Sequence, residues 1–121
     1  MSSRPEELRD RTKKFALRII RLFRSLPYRT DTQVLGKQLL RCGTSVAANY
    51  RAVCRARSKA EFVARMGVVA EEADESVLWL ELLIESGILD KVKADDLLTE
   101  AKQLAAIFTA SEQTSKRGSR L

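Results

Sequence analysis

Arg11, Lys14, Arg18 and Arg21 follow one another at intervals of three, four and three residues. On a 3.6-residue helix that spacing places them in one stripe. A second periodic stretch carries Arg41, Arg51, Arg55 and Arg57. Cationic side chains set along a surface, permanently charged guanidiniums above all, pair well with phosphate or carboxylate oxygens. The distribution of charge strengthens that reading. Residues 1–65 hold sixteen Lys/Arg against five Asp/Glu, net +11, and residues 66–121 hold six against eleven, net −5. A concentrated positive field draws phosphate backbones or acidic protein surfaces, whereas an evenly mixed one does not. For the first stripe the plain alternative is a solvated face with no partner, since protein surfaces are charged in any case.

Other chemistry finds few instruments. The chain has no histidine, so the usual zinc sets and every histidine-dependent nucleophile are missing. Cys42 and Cys54 stand twelve residues apart on one predicted helix. That is roughly 18 Å along its axis, too far for a disulfide. They read as small buried residues in a reducing compartment. Glu71, Glu72, Asp74 and Glu75 cluster on another helix, but a di-metal bundle needs carboxylates from several helices and Glu-x-x-His motifs. They read as solvated or salt-bridging. There is no glycine-rich phosphate loop and no nucleophile elbow. The expectation is a protein without enzymatic activity, metal or cofactor; an enzyme would have to work with carboxylates and lysines alone.

The elements that position these charges are helices. A length of 121 residues fits one domain, 1–121, able to bury its own core. Pro5 suits a first helical turn, with Ser3 or Arg4 before it as a cap, and Leu26-Pro27-Tyr28 ends the first helix, predicted over 5–26. Its core stripe is Leu8, Phe15, Ile19, Leu22 and Leu26. Thr30, Asp31 and Thr32 are candidate caps for a second helix over 31–57, with core Leu35, Leu39, Cys42, Val46, Tyr50 and Val53. Beside that core runs a ridge of small residues, Gly36, Gly43, Ala47 and Cys54. Two glycines inside a helix cost about 1 kcal/mol each relative to alanine. Close approach of a neighbouring helix, or backbone contact with a ligand, would compensate. Asn49, at the edge of the apolar face, needs a hydrogen-bond partner if buried.

Ser58 and Glu61 have the spacing of a capping box, so a third helix is predicted over 58–86, with Gly87 stopping it. The first of these junctions is an αα-hairpin with Arg51, Arg55, Arg57, Lys59 and Arg65 at its bend and only Glu61 opposing them. Phe62, Met66, Val69, Ala73, Val77, Leu80 and Ile84 make the third helix's seam, while Val68, Trp79 and Leu82 lie on its other side. A helix apolar on two sides is buried on two sides. Together with Leu17 and Ile20, which fit neither stripe of the first helix, these residues predict an oligomer interface anchored by Trp79. The alternative is a broad core contact in an asymmetric monomer. A fourth helix is predicted over 93–113, followed by a frayed basic tail, 114–121. Four amphipathic helices with short links give an all-α, up-down-up-down four-helix bundle.

The runs LGKQLLRCGTSVAANYRAVCRARSKAEF, ADESVLWLELLIESGIL and EAKQLAAIFTAS resemble the small bacterial four helix bundle protein family, also called large-subunit rRNA intervening-sequence proteins. The resemblance runs from about Phe15 to Ser111, and R-x-G-T-S-V-x-A-N at Arg41 to Asn49 with R-S-K-A-E-F at Arg57 to Phe62 is its specific part. The family pattern falls on Arg41, Gly43, Thr44, Ser45, Asn49, Arg57, Ser58, Glu61, Asp74, Glu75, Trp79 and Leu82; Cys42 and Tyr50 stand where relatives vary. The resemblance implies a homopentameric barrel of bundles with a positively charged surface or channel. It also implies kinship with the accessory variability determinant of diversity-generating retroelements, which is thought to bind nucleic acid and a reverse transcriptase. It transfers no catalytic residues.

The reading of function is an oligomeric scaffold that binds DNA or RNA backbones, without base readout, through Arg11, Lys14, Arg18, Arg21, Arg41, Arg51, Arg55 and Arg57. Only Tyr28 and Tyr50 lie near basic residues to stack on bases, so backbone attraction dominates. The alternative is an adaptor whose basic face docks an acidic protein such as a reverse transcriptase. The longest apolar cluster, VLWLELLI, is far short of the ~18–20 residues of a membrane span, and no signal-like N-terminus is seen. A cytoplasmic protein with no membrane partner is expected.

Overall fold

The computed structural model describes residues 3–119. They form four helices and no strand: α1 Arg4–Ser25, α2 Thr30–Cys54, α3 Lys59–Glu85 and α4 Lys91–Ser119. Neighbours in sequence are neighbours in space, α1 on α2, α2 on α3 and α3 on α4, and a thin α1–α4 seam closes the ring. Arg4, Cys54, Phe62 and Thr114 meet at one end of the bundle, so successive helices run antiparallel. No described helix is long and apolar enough to cross a membrane.

Local chemistry explains most ends. The Ser3 hydroxyl accepts the Glu6 N–H at 3.2 Å and opens α1; Leu26, extended before Pro27, closes it. The Ser58 hydroxyl accepts the Glu61 N–H at 3.1 Å. The return arm of this box differs from expectation, because the Glu61 carboxylate takes the N–H of Arg57 at 3.2 Å rather than that of Ser58. α2 stops at Cys54, three residues before the predicted end. Its last turn tightens into three-residue hydrogen bonds, Arg55 N–H to Ala52 and Ala56 N–H to Val53, which frees the chain to reach an extended Ser58. None of Thr30, Asp31 and Thr32 caps α2. The cap position is Arg29, and Asp31 instead accepts the Thr32 N–H at 2.8 Å. Asp90, which lies between the predicted third and fourth helices, caps α4 through its carboxylate and carbonyl, which accept from Val92 and Ala94. The predicted tail is helical through Ser119, helped by a Lys116–Glu112 pair at 2.9 Å; its last residues, 120 and 121, lie outside the described ones.

The core is where the helical periodicities place it. Phe15, Ile19, Leu39, Val46, Val69, Leu80, Leu104 and Phe108 are fully buried, and the Tyr50 ring tilts onto Phe108 with centroids 5.2 Å apart. Along α3, Met66, Val69, Ala73, Ser76, Leu80 and Leu83 form a buried seam at heptad spacing, with Ala70 buried beside it. It passes through Ser76 and Leu83 where Val77 and Ile84 were expected. Ser76 is tolerated because its hydroxyl donates to the Glu72 carbonyl at 2.8 Å.

The small-residue ridge of α2 faces α1. A Cβ at Gly43 would fall 2.8 Å from Ile19 Cγ1, and one at Gly36 2.8 Å from Leu26 Cδ1. Close helix approach therefore accounts for both glycines. Gly87 supplies the left-handed residue (φ 84°) that ends α3. Asn49 donates to the Ser45 carbonyl at 3.0 Å on its own helix.

Candidate nucleic-acid interface

Because α2 lies close against α1 along its small residues, a shallow trough runs between them towards the α2–α3 bend. Its first half, about 510 Å³, has a floor of Thr44, Ala47 and Ala48 walled by Arg9 and Lys13 from α1 and Arg51 and Arg55 from α2. The second half, about 620 Å³, shares Ala48, Arg51 and Arg55 and adds Arg57 and Arg65 beyond the bend. Short side chains in the floor leave room that longer ones would fill. Two carboxylates intrude: Asp10, which pairs with Lys14 at 3.0 Å, and Glu61, which pairs with Arg65 at 3.0 Å. Hydrogen bonds from Arg57 N–H and the Arg65 guanidinium hold the Glu61 carboxyl below its usual range, so it stays ionised. Arg9, Lys13, Arg51, Arg55 and Arg57 have no carboxylate within ion-pairing distance among the described residues. Their charge is directed at solvent or at a partner.

The eight cations singled out in the sequence divide into three groups. Arg51, Arg55 and Arg57 line the trough. Arg21 and Lys14 are exposed elsewhere on α1. Arg11, Arg18 and Arg41 are engaged inside the molecule. Arg11 grips Glu100 with two bonds of 2.7 and 2.8 Å and adds Gln103 at 2.7 Å, and Arg18 meets Asp96 at 2.8 Å. These pairs tie α1 to α4 along the thin seam, and the Glu100 hydrogen bond raises the already high Arg11 pKa. Arg41 meets Glu72 at 3.4 Å and Glu75 at 3.7 Å, joining α2 to α3.

Cys42 lies beneath Arg41, and its sulfur and the two carboxylates fall within 4.8 Å of one another. The donor set resembles that of a metal site, yet Arg41 already supplies the positive charge there, donating to the Cys42 sulfur at 3.1 Å. Burial foremost pushes the thiol up to about 12. The group is an ion-pair knot between helices.

Two trough residues, Arg9 and Lys13, escaped the sequence reading. They stand four apart on α1, as helical as the stripe that was chosen. Which of the two stripes faces the Ala47–Ala48 floor depends on the rotation of α1 about its axis, and one sequence does not state it.

The expected interface residues occupy diagonal helices. Leu17 is 40% exposed on α1, and Val68 and Leu82 are 41% and 40% exposed on α3. Leu78, missed in the sequence, is 47% exposed nearby on α3. Ile20 and Trp79 are half-buried. The Trp79 indole N–H is buried and has no acceptor among the described residues.

Residues 6–110 match the profile of the 23S rRNA-intervening sequence protein family. The chain belongs to that family. Among solved structures, it is similar to a crystal structure of a protein of unknown function from the S23 ribosomal protein family of Bacteroides thetaiotaomicron, with 28% identity and a TM-score of 0.83. The match covers 92% of this chain and 99% of that one. No curated protein matches. Within the 23S rRNA-intervening sequence protein fold, the two halves of the family's specific pattern have different surroundings here. Arg41 and Gly43 serve helix packing, whereas Arg57, Ser58 and Glu61 build the bend at the end of the trough.

Proposed function

We propose that this chain is a non-enzymatic, homo-oligomeric scaffold that binds the sugar–phosphate backbone of DNA or RNA along the α1–α2 trough. The observation that carries the reading is the continuous line of uncompensated cations, Arg9, Lys13, Arg51, Arg55 and Arg57, over a floor of small side chains. Guanidinium groups fit phosphate oxygens bidentately, and a shallow floor lets a backbone approach. Among the described residues no aromatic ring lines either half of the trough, so contacts position the nucleic acid without reading bases. Oligomerisation is supported by the apolar patches on α1 and α3. Patches on diagonal helices face different ways and meet head-to-tail, the contact that closes into rings. The family resemblance implies a ring of five.

The test is binding of the purified wild-type chain to unrelated DNA and RNA duplexes across a salt series. Comparable affinity for all of them, with a steep salt dependence, is expected. Changing Arg51, Arg55 and Arg57 to glutamine should weaken every one by a similar factor and flatten the slope by about one unit per lost contact. A wild-type chain that binds no nucleic acid at low salt ends this reading, and leaves an acidic protein partner such as a reverse transcriptase to account for the charge.

A further inference from the structure

The end of the bundle where α1 and α3 begin and α2 and α4 finish is not closed. A pocket of about 920 Å³ opens there, within the range of about 300–1,000 Å³ usual for small-molecule sites. Its interior is apolar. Leu8, Val53 and Met66 belong to the core and line it, with Phe62 and Ile107 half-buried beside them. Ser111, Thr114 and Ser115 of α4 add neutral polar groups, and its charged residues are both cationic: Arg4 and Arg9 from α1 border it, with no carboxylate in ion-pairing distance of either among the described residues. Tyr50 enters from α2 with 4% of its surface exposed. Its hydroxyl lies beside the Cys54 thiol and in the field of both arginines. Burial, chiefly, holds that phenol at about 12, so it stays an O–H donor.

We propose that this pocket binds a single-tailed anionic amphiphile, a long-chain carboxylate, with its tail among Leu8, Phe62 and Ile107 and its head between Arg4 and Arg9. Each methylene taken out of water favours binding, but a tail alone does not select a headgroup. The selection comes from two uncompensated guanidiniums, which attract a carboxylate and repel an ammonium. The pocket opens on a different part of the surface from the trough but shares one residue with it. Arg9 borders both, so the test uses Arg4 and Ala110, which line only this pocket.

Cys54 lines the pocket and is exposed, whereas Cys42 is fully buried. The folded chain thus presents one accessible thiol, and its reaction with a disulfide reagent reports whether the pocket is covered. Laurate, below its micelle concentration, should slow that reaction saturably, by about tenfold. Dodecyltrimethylammonium, with a tail of the same length, should have less than about a tenth of that effect on the wild-type chain. Arg4→Glu should weaken laurate protection about tenfold, and Ala110→Trp should abolish it. Both positions are exposed, and circular dichroism confirms the fold of each variant. Equal protection by the two amphiphiles, or none by laurate, overturns the proposal whatever the variants do. Thiol reactivity that rises on dilution without ligand also overturns it, since a second copy of the chain would then cover the pocket.

Discussion

Gly43 of α2 is seated directly on Ile19 of α1: a methyl at Gly43 would lie 2.8 Å from Ile19 Cγ1, 3.0 Å from Cγ2 and 3.2 Å from Cβ. Ile19 is fully buried and branched at Cβ, so it has no free end to swing away. Alanine in a helix gains about 1 kcal/mol over glycine, whereas overpacking a core costs about 1–3 kcal/mol. Gly43→Ala should therefore be net destabilising, by about 1 kcal/mol. At Gly36 the nearest atom is the tip of half-buried Leu26, which can move, and Gly36→Ala should be near neutral. Urea midpoints of the two variants check the contrast; equal midpoints would show that α1 shifts freely.

Ser58→Ala removes the hydroxyl that accepts the Glu61 N–H and should cost about 1 kcal/mol. Glu61 adds a pH dependence. Its folded pKa is lowered by the Arg57 N–H first and the Arg65 side chain second, so its contribution is present above the unfolded carboxylate pKa. It is lost as pH falls through the lower, folded value. In Glu61→Gln the acid limb of the stability curve should be shallower than in the wild type. Superimposable curves would mean that the carboxylate adds nothing to the bend.

The alkaline limb has its own sources. Burial, first, raises Cys42 from 9.0 to about 12 and Tyr50 from 10.0 to about 12. Both groups thus keep their protons in the fold after the unfolded chain has released them. Their contribution is complete below the unfolded values and fades as pH rises from about 9 towards 12. Cys42→Ser combined with Tyr50→Phe should flatten that limb, as read from denaturation midpoints across the pH series.

The helices were legible in the sequence because their apolar spacing is local: Leu39, Cys42, Val46, Tyr50 and Val53 are all buried, as their 3–4 spacing required. Caps were legible at Ser3 and Ser58, and not at α2, whose cap position is an arginine, nor at α4, where the Asp90 carboxylate does the capping. The candidate site was only half legible. Whether a surface arginine meets a carboxylate on another helix depends on how the helices are rotated against each other. Arg11 and Glu100 are eighty-nine residues apart, and no spacing rule links them. The same ignorance of rotation hid Arg9 and Lys13.

The apolar patch on α3 leads to an assembly prediction. Leu82 and Leu78 of α3 are exposed beside half-buried Trp79, and a neighbouring copy would cover them. On the proposed homo-oligomeric reading, Trp79→Ala, or a charge at Leu82, should yield smaller species than the wild type while helicity survives. Light scattering that finds the same mass for both variants and the wild type would remove this interface.

Arginines that hold the bundle together and arginines that face outward should separate experimentally. Arg11 is a structural cation: Glu100, its bidentate partner, is only 19% exposed at its side chain, and losing the pair should cost about 1 kcal/mol after allowance for solvent screening. Arg11→Gln should therefore lower the denaturation midpoint while leaving the salt slope of nucleic-acid binding unchanged, because a guanidinium already paired with a carboxylate neutralises no phosphate and displaces none of the counterions condensed on the nucleic acid. Arg9→Gln and Lys13→Gln should do the opposite. Neither side chain has an ion-pair partner among the described residues, so stability should move by less than about 0.5 kcal/mol. Each should flatten the slope by about one unit per protomer engaged. The paired measurements, midpoint and slope on the same three variants, decide the matter. If Arg11→Gln flattens the slope as much as Lys13→Gln does, the polyanion path runs along the α1–α4 seam, and the α1–α2 trough is not where the backbone lies.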